Sequence, residues 1–278
     1  MIDLYALTSP NVQKIFIALE ELELPYNTKL IDVWKGDQFS PEFLKINPNG
    51  KVPAIVDHDG PGGKPYTVIE SGAILLYLAD KTGKFLPKDT RKRFDAIQWM
   101  MVQMTSVGPM FGQWTHFKMM APKGNDYSVS RYTTEVKRLY DLLEKRLGEL
   151  PYLGGDEYSI ADIATFPWTR NHDAQGVKWA DNPNLARWFD SIAARSAVKR
   201  ALEKVGKITS NRETAKPTIK RTVYSDAAVT PGPDHARAGV AAAADAGSIA
   251  GSGRGAVCRA DPPQRPHSQH SSHLRSCP

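Results

Sequence analysis

Cysteine is missing from residues 1–215; the two in the chain, Cys258 and Cys277, stand near its end. Most of the sequence therefore offers neither a structural disulfide nor a cysteine nucleophile, and thiol chemistry there must use a thiol that a ligand brings in. Long apolar runs are missing as well. No stretch approaches the roughly 18 uninterrupted apolar residues of a membrane span. The opening MIDLYAL has no basic start ahead of an apolar stretch and a small-residue cleavage site. No signal peptide is expected, and the protein reads as cytoplasmic with no membrane partner.

A concentrated positive charge is the third absence. The formal net charge is +6, but residues 216–278 hold eight Lys and Arg against four Asp and Glu. That leaves 28 against 26 in residues 1–215, which is nearly neutral, so no nucleic-acid partner is implied. After about Asn211 the sequence has one aromatic, Tyr224, and is dominated by Ala, Gly, Ser, Pro and Arg without sustained periodicity. Such a composition buries too little apolar surface to offset ordering entropy, so residues 212–278 are expected to form a disordered tail. His267, His270 and His273 lie there with both cysteines, but their spacing fits no zinc pattern and no metal is expected.

What is present is a change of periodicity along the chain. Residues 2–7 (IDLYAL) read as a buried strand, and Ser9, Pro10 and Asn11 as a turn. Residues 12–24 read as a helix, on the spacing of Val12, Ile15, Phe16, Leu19 and Leu22. Residues 26–33 read as a second strand, and strand–helix–strand order implies a parallel pair. A short helix from Pro41 follows, then strands 51–57 and 66–69 around a Gly/Pro-rich loop, and a helix over 72–81 ended by Gly83. From Arg91 the strands stop, and helical patterns cover 90–107, 128–149, 159–170, 183–194 and 197–205. Ser159 and Asp162 give one of these a capping box with Asp in place of the usual Glu. The expected fold is a thioredoxin-like α/β domain over 1–85 followed by an all-α helical domain over 91–207.

Four features of the first domain fall on loop ends of its small sheet. Val52-Pro53 heads a strand, where proline interrupts the ladder and leaves the Val52 backbone free for a peptide-like ligand. Glu70-Ser71 opens a helix, whose free N–H groups and dipole favour a carboxylate, while Glu70 pairs with an ammonium. Ser9 and Asn11 place a hydroxyl and an amide at a positive helix end, where a bound thiol ionises more readily. Gln38 and Lys51 add polar groups on flanking loops. Each feature alone also serves an ordinary purpose, as a helix cap or an edge-strand device; their joint placement points to an α-amino-acid head group and a thiol.

The strings ESGAILLYLADKTG (70–83), NPNGKVPAIVD (47–57) and YSIADIATFPW (158–168) together resemble glutathione transferases over about residues 1–207. LYALTSPNVQK, KGDQFSPEFL and GPMFGQ (108–113) are similar in particular to the bacterial nu class of glutathione-dependent disulfide oxidoreductases. The resemblance implies that Ser9 and Asn11 are catalytic and face the glutathione sulfur. Gln38 and Lys51 would meet its glycine end, Val52 and Pro53 its cysteinyl backbone, and Glu70 and Ser71 its γ-glutamyl group. Arg131 matches an arginine near the ligand in the helical domain. Glutathione as cosubstrate, a small disulfide or electrophile as second substrate, and a homodimer follow in the same way. The alternative is a non-enzymatic interaction or regulatory module on the same fold.

Three further features have bland readings. Several transferase classes use an early tyrosine, but Tyr5 lies inside the first strand and reads as core. The Met- and aromatic-rich segment 98–117 suits either core or an apolar second-substrate pocket. His116 reads as a satisfied surface group, and Asp162 as a structural cap.

Overall fold

The computed structural model describes residues 1–209. The expected tail and its histidines and cysteines lie outside the described residues. β1 (Ile2–Ala6) alternates buried and half-buried residues. It feeds α1 (Pro10–Glu21), which carries proline in its first turn, and β2 (Tyr26–Leu30) returns parallel to β1. A short 3-10 turn (Asp37–Phe39) and α2 (Pro41–Ile46), capped by the Ser40 hydroxyl, lead to β3 (Ala54–Asp57) and β4 (Tyr66–Ile69). β3 runs antiparallel to both β1 and β4, giving a four-stranded mixed sheet of order β2-β1-β3-β4. α3 (Ser71–Thr82) ends on Gly83 in the left-handed region, at φ 68°. This is the thioredoxin-like arrangement.

The remaining elements are helical: α4 (Thr90–Val102), a π-helical turn (Gln103–Val107), α5 (Gly108–Thr115), a second π-helical turn (His116–Met120), α6 (Asp126–Glu149), α7 (Ile160–Thr169), a 3-10 turn (Trp179–Asp181), α8 (Pro183–Ala193) and α9 (Ser196–Gly206). No described helix is long and apolar enough to cross a membrane. α1 is the shared element. It packs on α3 and also against α7 and α9 of the helical half. Glu21 is held by Arg195, and Glu20 by Arg200 and Lys204. Burial alone would raise the Glu20 pKa, but the bonds from Lys204, Tyr26 and Arg200 overcome this and hold it below its usual value.

Several boundaries differ from the sequence reading for local reasons. The first helix begins at Pro10, so Pro10 and Asn11 are its first turn rather than a preceding one, with Ser9 as N-cap. It ends at Glu21 rather than 24 because Glu23 takes positive φ (56°) ahead of Pro25, which disfavours helix in the residue before it. The strand expected from 51 begins at Ala54, after Pro53, which has no N–H to donate. The expected 90–107 helix breaks at Gln103, where a π turn admits one extra residue. Tyr5 is half-buried rather than core. Alternate strand residues face opposite ways, and its ring meets Phe43 of α2, centroids 5.8 Å apart.

Candidate active site

The strand register gathers the predicted residues. Tyr5 pairs with Ala54, and Ala54 with Ile69. The chain therefore leaves β1 toward Ser9, enters β3 from Val52 and leaves β4 toward Glu70 at one end of the sheet.

At that end several polar groups are unengaged. The Ser9 hydroxyl does not cap α1; only its carbonyl is used, accepting from the N–H groups of Val12 (2.9 Å) and Gln13 (3.0 Å). Its side chain is exposed beside the positive end of a 12-residue helix. Val52-Pro53 is a cis peptide, and neither Val52 N–H nor C=O makes a backbone hydrogen bond among the described residues. Glu70 adopts φ 66°, ψ 121°, an arrangement that costs a non-glycine residue on the order of 1–3 kcal/mol and is typically found where function requires it. No side chain caps α3, so its first N–H groups stay available. The exposed Glu70 carboxylate accepts from Asn49 Nδ2 at 3.2 Å, and Ser71 is buried one residue on.

The other predicted residues are less alike. Gln38, in the short 3-10 turn, is buried. Its Nε2 donates to the Val33 carbonyl at 3.3 Å, and its Oε1 is buried with no partner, an acceptor available to a ligand or water. Lys51 is exposed, its carbonyl taken by Asn47 Nδ2 at 2.7 Å. Arg131 stands exposed on α6, and its side chain makes no hydrogen bond or ion pair with any other described residue. His116 is exposed against the Phe117 ring. Asp162 is the buried cap that the sequence suggests, accepting from Leu153 N–H, Ser159 N–H and Oγ, and Trp188 Nε1 at 2.8–3.0 Å. The 98–117 segment divides: Met100, Val107, Phe111 and Trp114 are core, while Met104 reaches the site.

Three contributors escaped the sequence reading. Trp168 of α7 donates from Nε1 to Asn11 Oδ1 at 3.3 Å. An indole N–H is a donor only, so it fixes which end of the Asn11 amide is which and turns the Asn11 NH2 away as a free donor. Lys14 is wholly buried beneath Ser71. Gln103 and Met104 of the π turn close over it. A Cβ on Gly72 would meet Met104 at 3.2 Å, so glycine permits this close approach. A Trp in a helix and a Lys beside a Gln in an amphipathic one carry no signal that separates them from ordinary residues. The π turn, with its known association with functional sites, is visible only in the backbone.

Comparison with known proteins bears on the fold and the family. The model of the glutathione S-transferase N-terminal domain matches residues 8–81, and that of the C-terminal domain residues 126–191. The chain is 49% identical over 205 residues to the disulfide-bond oxidoreductase YfcG of Escherichia coli (strain K12), covering 73% of this chain and 95% of that protein. It is 41% identical over 212 residues to the disulfide-bond oxidoreductase YghU of the same organism, covering 72% and 73%. A glutathione transferase crystal structure from Burkholderia graminis, with two glutathione molecules bound per subunit, superposes with a TM-score of 0.70 at 47% identity, covering 74% of this chain and 89% of that one. One from Pseudomonas putida, with one glutathione disulfide per subunit, gives 0.68 at 40%, covering 73% and 90%.

Proposed function

The chain belongs to the glutathione S-transferase family, and on that premise we propose that it reduces small disulfides with two molecules of glutathione in turn. The observation that carries this reading is the pairing of a cysteine-free body with unengaged donors, Ser9 Oγ and the Asn11 amide, at the start of α1. Val52 receives the cysteinyl backbone of glutathione through its free N–H and C=O, beside Pro53. The α3 N-terminus and Ser71 take the γ-glutamyl carboxylate, and Glu70 its ammonium. Gln38 and Lys51 serve the glycine end, and Arg131 completes the set from the helical half.

The bound thiol loses its proton to solvent, and its thiolate is stabilised by Ser9 Oγ–H, Asn11 Nδ2–H and the α1 dipole. It attacks one sulfur of the disulfide, forming a mixed disulfide and releasing the other half as a thiolate that takes up a proton. A second glutathione thiolate attacks the glutathione sulfur of that mixed disulfide. The balance is two glutathiones and one disulfide giving glutathione disulfide and two thiols. No protein sulfur enters. Transfer to an apolar electrophile would use the same thiolate and is the lesser activity. A homodimer in the cytoplasm belongs to the same reading.

The test is glutathione-dependent reduction of hydroxyethyl disulfide beside conjugation of an aryl chloride. The disulfide should turn over much the faster, and Cys258→Ser with Cys277→Ser should leave that rate unchanged. A folded protein that conjugates the aryl chloride but leaves the disulfide untouched would refute the proposal.

A further inference from the structure

Lys14 is buried without an anion. Its Nζ lies 2.6 Å from Gln103 Oε1, 3.3 Å from Ser71 Oγ and 3.4 Å from Met104 Sδ, all neutral partners. Burial pushes its pKa down to about 7, and the Glu70 carboxylate acting through space offsets this only in part. The charged groups that reach α1 from α7 and α9 are engaged elsewhere: Arg170 on Gln13, Arg195 on Glu21, Arg200 and Lys204 on Glu20. A cation kept in such a place is expensive unless something that binds nearby repays it.

We infer that Lys14 is the buried counter-charge for the α-amino-acid carboxylate bound at Ser71, a positioning residue that works through the serine hydroxyl. This rests on the glutathione reading above. An amine hydrogen pointing at Ser71 Oγ occupies that oxygen as an acceptor and leaves its own hydrogen to be donated outward. The acceptor on offer in the free protein is the weak Met104 Sδ at 3.8 Å; a carboxylate replaces it with a far stronger one. Gln103, brought inward by the π turn, holds the amine in place. A carboxylate arriving in this low-dielectric setting favours the ammonium over the amine. Ligand binding and proton uptake by Lys14 are therefore one event, and affinity rises as pH falls toward 7.

The probe is S-methylglutathione, whose blocked sulfur removes the proton that a binding thiol would release. Titration calorimetry of the full chain at pH 8, in two buffers of different ionisation enthalpy, should show uptake approaching one proton per site. Lys14→Gln should abolish that uptake and weaken binding about ten- to a hundredfold. Binding with no proton uptake in the unaltered protein overturns the inference while leaving the glutathione reading intact; this arm needs no variant to fold. Failure of the unaltered protein to bind S-methylglutathione at all overturns both.

Discussion

In the proposed mechanism the Asn11 amide donates to the thiolate, and its contribution can be separated from that of Trp168. An N–H donated to a thiolate is charge-assisted, worth about 1.5–3 kcal/mol, so Asn11→Ala should lower kcat on a disulfide roughly ten- to a hundredfold. The same loss should appear as a rise of about one to two in the pKa of bound glutathione, followed by thiolate absorbance across pH. Trp168 acts through Asn11 by a neutral 3.3 Å bond. Trp168→Phe keeps a ring beside Gly108 and Gly112 but removes about 1 kcal/mol of orientation, a several-fold loss. Because the path runs through the amide, Trp168→Phe in the Asn11→Ala background should cost almost nothing more. The affinity for the protonated thiol, measured below the pKa of bound glutathione, should change little in all three variants. Additive losses in the double variant would refute a positioning role for Trp168. An unmoved thiol pKa in Asn11→Ala would refute the amide's role outright.

Two predictions concern stability. Asp162→Ala leaves buried donors on Leu153, Ser159 and Trp188 without an acceptor and should cost about 3–5 kcal/mol in urea unfolding. Lys14 titrates near 7 when folded against about 10.5 when unfolded, so between those values the unfolded chain binds more protons and Lys14 makes stability rise with pH. Lys14→Met removes that dependence. Its stability advantage over the unaltered protein should shrink from at most ~5 kcal/mol near pH 7 toward nothing near pH 10.5, measured by denaturant unfolding across pH.

The elements were legible where one face of a pattern met one core. The four strands, α6 and the Ser159–Asp162 cap all follow from spacing and turn chemistry. The residues that escaped share a different circumstance. Lys14, Gln13 and Glu20 look like the solvated stripe of an amphipathic helix, yet α1 is covered by α3 on one side and by α7 and α9 on the others. A polar residue there becomes buried through a contact made across the fold, and no local window contains its partner. Lys14 meets Gln103, and Asn11 meets Trp168. Gln38 was recognised by its type, but its burial was not, since the 3-10 turn that holds it carries no strong sequence mark. The break at Gln103 was invisible for a simpler reason: a π turn continues a helical pattern with one residue of offset.

The position of α1, packed by α3 on one side and by α7 and α9 on the others, bears on how this enzyme diversifies. Val12, Ile15, Phe16, Ile17, Ala18 and Leu19 are all buried, so the helix that presents Ser9 and Asn11 opens only when both halves give way. Its donors are thus held on a packed element, and in the proposed reaction little reorganisation would be needed as charge builds on sulfur. Variation in what is reduced has to be sought in parts that can change without disturbing this helix. The exposed Met119 and Met120 after α5, with Tyr127 in the first turn of α6, are such a place, free to drift while the proposed thiolate site stays fixed.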